Sequence, residues 1–397
     1  VSLAFTSDKE KLNIMARAAL LANRVHTQDG AMLVAGQNQF KTLWTRDFCF
    51  CVPGLLIVGE SSLVKRQIEM YFQFQRADGL IPRGVDVCPP QLRVVANSIH
   101  RLAAKLLPKY ETRKLKPEYY GEHRTEAFDS GVLLTIALLK YLDHEKIPLD
   151  LEVHGARIKW ILDFYLSHQK EGLVHQAAYS DWQDSARREG AGLYLNVLLL
   201  ILAKKLKSYG FHHPLFDGLE NAVFVKFFDQ DRRLFQQDAF GQIPLEANLW
   251  IIEHHLMEQH VGADDLYQQL KQSQLWELLG TPIAPVYRAK EVSLTTKVVG
   301  LRHYHDGLHW PWLMAEAARI AILQKDQPEA DRIFSKIADF VSRSGGVGEV
   351  YLADGRPFRS TFYRSEMPFS WSSAKILEAL HSSSRHSATT RTQLTFL

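Results

Sequence analysis

Apolar positions recur at helical spacing along most of the chain. Leu12, Met15, Ala16, Ala19 and Leu20 mark one such stretch, Val132, Leu133, Ile136, Ala137 and Leu139 a second, and Ile158, Trp160, Ile161, Phe164 and Tyr165 a third. The same beat predicts helices over 63–74, 97–107, 190–206, 214–228, 245–259, 265–275, 307–323, 328–342 and 369–380. Together these make about a dozen helices of ordinary length. Strand-like alternation is scarce. Turn-rich or polar segments separate the helices, among them Asp78-Gly79, 179–182, 302–309 and 345–348.

The pattern persists from Met15 to Leu380 with no Pro-, Ser- or Gly-rich linker, and no fixed-period signature of a helical solenoid is visible. One all-α domain over 1–381 is therefore expected. The remainder, 382–397, is rich in Ser, Thr and Arg and is expected to be a flexible tail.

Composition narrows the function classes. Lys plus Arg number 47 and Asp plus Glu 44, a net charge of +3, which excludes a strongly basic nucleic-acid binder or an acidic tail as the main theme. The longest aliphatic run, 193–203, is too short to cross a bilayer and is followed by Lys204, Lys205 and Lys207. Residues 1–13 lack the succession of a secretory signal. Cys49, Cys51 and Cys88 are an odd set without paired metal spacing. These features predict a cytoplasmic protein with no nucleic-acid or membrane partner.

Candidate chemistry lies in the loops. Trp44, Trp182, Trp250, Trp310, Trp312 and Trp371 fall near loop-to-helix junctions, mostly beside carboxylates, Arg or His. A sugar needs that company: its C–H face stacks on an indole while its hydroxyls take directed donors and acceptors. Tryptophan at a helix end also anchors a core, so the ensemble carries more information than any member.

The motifs resemble those of the six-hairpin glycosidases, and most closely the neutral and alkaline invertases. Leu43-Trp44-Thr45-Arg46-Asp47-Phe48 is similar to the Arg-Asp-Phe loop after the first hairpin, and Glu126-Ala127-Phe128-Asp129-Ser130-Gly131 to a Val-Asp-Ser-Gly segment. Tyr304-His305-Asp306-Gly307-Leu308-His309-Trp310-Pro311 resembles Tyr-His-x-Gly-x-x-Trp-Pro, the most specific match. Gly348-Glu349-Val350-Tyr351 is similar to Pro-Glu-Tyr-Tyr, Phe369-Ser370-Trp371-Ser372 to Thr-Trp-Ser, and Gly79-Leu80-Ile81-Pro82 to the Gly-x-Ile-Pro of trehalases and processing glucosidases. The matches keep their order from Trp44 to Trp371.

The resemblance implies an (α/α)6 barrel and an inverting glycoside hydrolase that takes a terminal glucosyl unit, with sucrose as substrate. It places the general acid at Asp184 and the general base at Glu349. Trp44, Arg46, Asp47, Asp129, Trp182, Arg187, Tyr304, His305, His309, Trp310 and Trp371 form the implied substrate-binding set. Here Ser185 and Ala186 separate Asp184 from Arg187-Arg188, which keeps Asp181 open as a rival acid, and Glu366 is the rival base. Judged without the resemblance, Asp184 reads as a helix cap sooner than as a catalyst, Asp129 equally as a cap, and Arg46 with Asp47 equally as a surface ion pair.

No metal or cofactor is expected, because His303, His305 and His309 lack a further ligand pattern. A small carbohydrate is the expected partner; a homo-oligomer is possible, with no pattern marking an interface. Three other activities stay open: an α-glucosidase of the debranching type, a trehalase, and a carbohydrate-binding barrel without turnover. A helical protein-interaction scaffold is the alternative from outside carbohydrate chemistry.

Overall fold

Helices that are apolar on every side have to be surrounded by other helices, whereas those with a single apolar stripe can face water on the other. Both kinds are present, and their arrangement follows from that difference. The computed structural model describes residues 7–88, 110–121, 123–237 and 241–394; the helix expected over 97–107 lies outside them. Among the described residues, twelve helices are nine residues or longer: α1 (Asp8–Ala22), α2 (Thr45–Ile57), α3 (Ser61–Gln73), α4 (Ser130–Glu145), α5 (Ala156–Ser167), α6 (Leu193–Ser208), α7 (Leu219–Phe227), α8 (Leu245–Glu253), α9 (Ala263–Lys271), α10 (Pro311–Leu323), α11 (Gln327–Ser344) and α12 (Ser370–Leu394).

The even-numbered helices form a closed ring. Each packs on the next, α2 on α4, α4 on α6, α6 on α8, α8 on α10 and α10 on α12, and α12 returns to α2. The odd-numbered helices lie against this ring, α3 on α2 and α4, α5 on α4, α7 on α6, α9 on α8, α11 on α10, and α1 on α12. This is the (α/α)6 barrel. Sequence explains the two layers: α10 is buried without a break from Pro311 to Ile322, while α11 buries only the stripe Ala330, Ile333, Phe334, Ile337, Ala338, Phe340 and Val341.

Several boundaries move from the periodic pattern for local reasons. The helix expected from 307 starts at Pro311, whose fixed φ and missing N–H suit a first helical position. The helix expected over 245–259 ends at Glu253, and His255 takes a left-handed backbone (φ 49°). Beyond Leu380, α12 continues through the expected tail to Leu394, a stretch without Gly or Pro.

Short β pairings lead into the inner helices at one end of the ring. Leu43–Trp44 pairs with Gly84–Asp86 ahead of α2, Gly190–Ala191 with Leu173–Gln176 ahead of α6, and Ile243–Pro244 with Ile283–Ala284 ahead of α8. Single bridges, His309 with Tyr351 and Gly36 with Phe369, do the same for α10 and α12. Strands of two to four residues are too short to show alternation in sequence.

The ring axis is filled by rings and then by charges. Phe50 of α2 stacks on Trp371 of α12 (centroids 4.4 Å, planes 7° apart), and Trp371 on Trp312 of α10 (4.5 Å). One or two helical turns further along lie Lys140, Glu253, Glu316, Arg319, Lys375 and Glu378, three cations and three carboxylates. Lys375 pairs with Glu316 and with Glu378 (2.6 Å); Arg319 pairs with Glu253 and with Glu316 (3.0 Å). Burial raises the carboxyl pKa values of Glu253 and Glu378, but the cations outweigh it, chiefly Arg319 and Lys375 respectively, and hold both below the usual range.

Lys375→Met removes one member of this cluster and leaves Glu316 and Glu378 underpaired. It is expected to cost about 3–5 kcal/mol in urea unfolding. Adding Glu378→Gln should recover part of that loss, and an unchanged unfolding midpoint in the single variant would remove the cluster from the account of stability.

Candidate active site

A cavity of about 300 Å³ opens at the end of the ring where the inner helices begin. Its lining comes from the first turns of α2, α4 and α12, from the residue that caps α10, and from the loops between. The floor is aromatic. Trp182, Trp310 and Trp371 are each 3% exposed and meet almost edge to face: Trp182 lies 5.5 Å from Trp310 (86°) and 6.0 Å from Trp371 (71°). Trp182 is held from below by its Nε1–H, which donates to Glu246 Oε1 (2.8 Å) at the start of α8. Burial pushes the Glu246 carboxyl up to about 7, against the pull of Arg188.

One wall belongs to the start of α2. Trp44, Arg46 and Asp47 all face the cavity. The Arg46 guanidinium is clamped to Asp129, Nε to Oδ2 (2.5 Å) and Nη2 to Oδ1 (3.0 Å), and Asp129 also accepts from the Tyr194 hydroxyl (2.9 Å). Asp129 therefore supports the wall from behind. It stands at the cap position of α4 yet makes no capping bond. Burial raises the Asp47 carboxyl to about 7, against the opposing charge of Arg46.

Asp184 stands on the mouth side, with its side chain 38% exposed. Its turn is folded by Asp181, whose Oδ1 accepts the Gln183 N–H (2.9 Å), and by the Ala186 N–H to Gln183 O bond (2.9 Å). The next helix starts only at Leu193, so the capping interpretation of Asp184 falls. Two guanidinium groups flank its Oδ2, Arg83 at 3.3 Å and Arg46 at 4.0 Å. Arg83 itself lies over the Trp44 ring, 4.8 Å from the centroid.

Glu349 faces the same cavity from an extended segment beside the His309–Tyr351 bridge. Gly348 precedes it, where an added Cβ would lie 2.9 Å from the Tyr351 hydroxyl, so the backbone can approach only without a side chain. The Glu349 carboxyl accepts from the Tyr304 and Tyr363 hydroxyls and from the Glu366 N–H (3.2 Å). Burial dominates and pushes it up to about 8, although these donors favour the charged form. His305 completes the wall. It stacks on Trp310 (5.5 Å, 5°) and contacts Ser185 Oγ through Nδ1 (2.6 Å); burial, then Arg188 and Arg46, hold it well below its ordinary range and therefore neutral.

The structure thus brings together at the cavity Trp44, Arg46, Asp47, Trp182, Asp184, Tyr304, His305, Trp310, Glu349 and Trp371. Three residues expected in the binding set stand elsewhere. Asp129 lies behind Arg46. Arg187 turns outward to Glu189 (3.1 Å), while its neighbour Arg188 is the buried one, paired with Asp181 (3.3 Å). His309 points into the core and contacts Leu279 O through Nδ1 (2.7 Å). Adjacent residues in an extended turn face opposite ways, so a sequence match over such a stretch does not say which member faces the cavity.

Both rival carboxylates have structural work. Asp181 is bound to Gln176 and Arg188. Glu366 accepts from the Asn38 N–H (2.8 Å), Asn38 Nδ2 (2.9 Å) and the Gln39 N–H (2.9 Å), and it packs where a Cβ at Gly36 would collide with it. Sequence reasoning missed Arg83, Ser185 and Tyr363 at the cavity, with Phe40, Ser130, Thr295, Thr296, Val299, Leu301 and Phe369. Arg83 directly follows the Gly79–Pro82 motif, which was its only signal; Tyr363 had none.

No protein-family profile matches the chain, and no curated protein sequence does. Solved structures do share the fold. A rhamnosidase from Klebsiella oxytoca with rhamnose bound superposes with a TM-score of 0.62 at 13% identity, over 95% of this chain and 64% of the rhamnosidase, so the chain spans less than two thirds of that protein. A GH63 mannosylglycerate hydrolase from Thermus thermophilus in complex with glucose gives a TM-score of 0.62 at 12% identity, over 92% of this chain and 99% of the hydrolase. A wild-type glycosidase gives 0.56 at 12%, covering 94% and 96%. At such identities the likeness establishes the barrel.

The different environments of the two glutamates separate their variants. Glu366→Ala should lose about 2–3 kcal/mol, as several bonds to one charged group are broken. Glu349→Gln, in a site that already favours a neutral side chain, should melt close to the parent. Thermal unfolding of both checks this, and equal losses would place Glu349 among the structural carboxylates.

Proposed function

We propose that this protein is an inverting glycoside hydrolase that removes a terminal glucosyl unit, with sucrose, split to glucose and fructose, as its substrate. The observation that carries the reading is the presence of two carboxyl groups, Asp184 and Glu349, in one cavity floored by Trp182, Trp310 and Trp371. The barrels it superposes on include a rhamnosidase and a glycoside hydrolase crystallised with glucose, which supports the reaction class. The choice of sucrose rests on the motif resemblance. The cavity lies at the lower end of the range for ligand pockets, which favours a short glycoside over a polymer.

In the proposed reaction the glycone stacks on the indole floor, and Arg46 and Asp47 hold its hydroxyls. Asp184 gives a proton to the glycosidic oxygen as the bond from the anomeric carbon to that oxygen breaks. Glu349 takes a proton from water, whose oxygen bonds to the anomeric carbon from the opposite face, so the configuration inverts and a free sugar leaves. Neutral His305 serves as a hydrogen-bonding partner for the sugar and adds no charge.

The electrostatics set a condition on this division of labour. Glu349 must be ionised to act as a base, yet it holds its proton up to about pH 8. The proton on Asp184 has to be held between two guanidinium groups.

Two experiments test the proposal. In a product-resolved assay on sucrose, trehalose, maltose and isomaltose, glucose and fructose are expected from sucrose alone, with the activity abolished in Glu349→Gln. Turnover of an α-glucobiose would move the assignment to an α-glucosidase or trehalase, and binding without turnover to a carbohydrate-binding barrel. With a glucosyl fluoride, whose leaving group needs no proton, turnover should return in Asp184→Asn and stay lost in Glu349→Gln. The opposite pattern would exchange the roles, with Glu349 the acid and Asp184 the base.

A further inference from the structure

An ionised carboxylate offers about four acceptor positions, two on each oxygen. Three of those on Glu349 are already taken. The Tyr363 hydroxyl and the Glu366 N–H both donate to Oε2, and the Tyr304 hydroxyl donates to Oε1. The two tyrosine hydroxyls lie 3.3 Å apart, but each has a single proton, and a charged oxygen outcompetes a neighbouring hydroxyl for it. The rings are fixed by packing: Tyr304 meets Trp310 edge to face (5.0 Å, 63°), and Tyr363 meets Tyr304 (5.7 Å, 75°).

Resting on the assignment of Glu349 as the base, we propose that Oε1 is the atom that takes the proton from water, and that Tyr363 is the positioning residue that reserves it by occupying Oε2. With Oε2 engaged twice, the one open lone pair of the carboxylate is on Oε1. Tyr363 has a second consequence, which follows from what surrounds Glu349. The groups that face the carboxyl are Tyr304 from the loop before α10, and Tyr363 and the backbone of Glu366 from the segment before α12. The Glu366 carboxylate adds a like charge. Asp47 and Asp184 line the same cavity, as do Arg46 and Arg83, but these two arginines pair with Asp129, Asp184 and Glu118. Among the described residues no cation forms an ion pair with Glu349, so its charge is held by neutral donors. Tyr363 is one of only two hydroxyls among them.

The test is Tyr363→Phe, which keeps the ring and removes the donor. The Glu349 inflection in the kcat/KM profile, near pH 8 in the parent, should move upward by about one pH unit or more, the scale of one hydrogen bond to a charged group. Activity at pH 7 should fall about tenfold with the melting temperature little changed. The same shift can be read without any substrate as the ¹³C titration of the Glu349 carboxyl, identified by its loss in Glu349→Gln.

A Tyr363→Phe titration that overlays the parent's would overturn the proposal, whatever Tyr304→Phe does. If Tyr363→Phe does not fold, Tyr363→Leu, which removes the hydroxyl and brings no donor or added bulk, takes its place under the same criteria. If the Glu349 titration shifts as expected while the parent hydrolyses none of the four sugars, the tyrosine's hold on the carboxyl stands and the glycosidase reading fails.

Discussion

A closed ring of six helices encloses an axis, and the axis has to be filled. Protein interiors pack as densely as organic crystals, so an unfilled core between inner helices would forfeit contacts on every side. Here Phe50, Trp312 and Trp371 stack across the axis, with Trp250 beside them (5.8 Å from Phe50). The upper surface of this plug, capped by Trp182, is the floor of the cavity. The aromatic residues that close the core are thus continuous with those proposed to receive a sugar face. Substitutions in the plug are bound to affect the cavity and the stability together.

Charge is arranged in two layers about that plug. Beneath it, three cations and three carboxylates from α4, α8, α10 and α12 neutralise one another inside the ring. Above it, the balance is uneven. Asp184, at the mouth, has guanidinium neighbours; Glu349, at the wall, has hydroxyls and an N–H. Two carboxyl groups facing one cavity from such different surroundings are the usual basis for giving one the acid's role and the other the base's. Burial is what separates them: an exposed carboxylate is solvated by water, whereas Glu349 depends on the few donors the chain supplies.

Much of this was legible in the chain. The 3.6-residue beat marked eleven of the twelve described helices of nine residues or longer, because burial of one face imposes that period; it missed α2, whose residues 48–52 and 54–56 are all buried and so show no one-sided stripe. The stretch 311–322, apolar except for Glu316 and Arg319, belongs to an inner helix and the one-sided stripe of 327–344 to an outer one, a difference that becomes readable only once the layers are known. Trp44, Arg46, Asp47, Tyr304, His305, Trp310 and Trp371 reached the cavity because each lies at or just before the first turn of an inner helix, or in the loop leading to it. Chain order alone then carries them to the same end of the barrel.

What the sequence could not determine is which of two neighbours turns inward. Arg187 faces solvent and Arg188 the interior; His305 faces the cavity and His309 the core; Asp181 folds the turn that presents Asp184. Glu366 and Glu349 are both buried, and only the partners around them, backbone N–H groups of residues 38 and 39 in one case and two tyrosines in the other, tell a structural carboxylate from a cavity-facing one. Tyr363 and Arg83 had to be found in space. A period of 3.6 is imposed locally by burial and so is written in the sequence, whereas the meeting of Tyr304, Glu349 and Tyr363 on one wall exists only once the ring has closed.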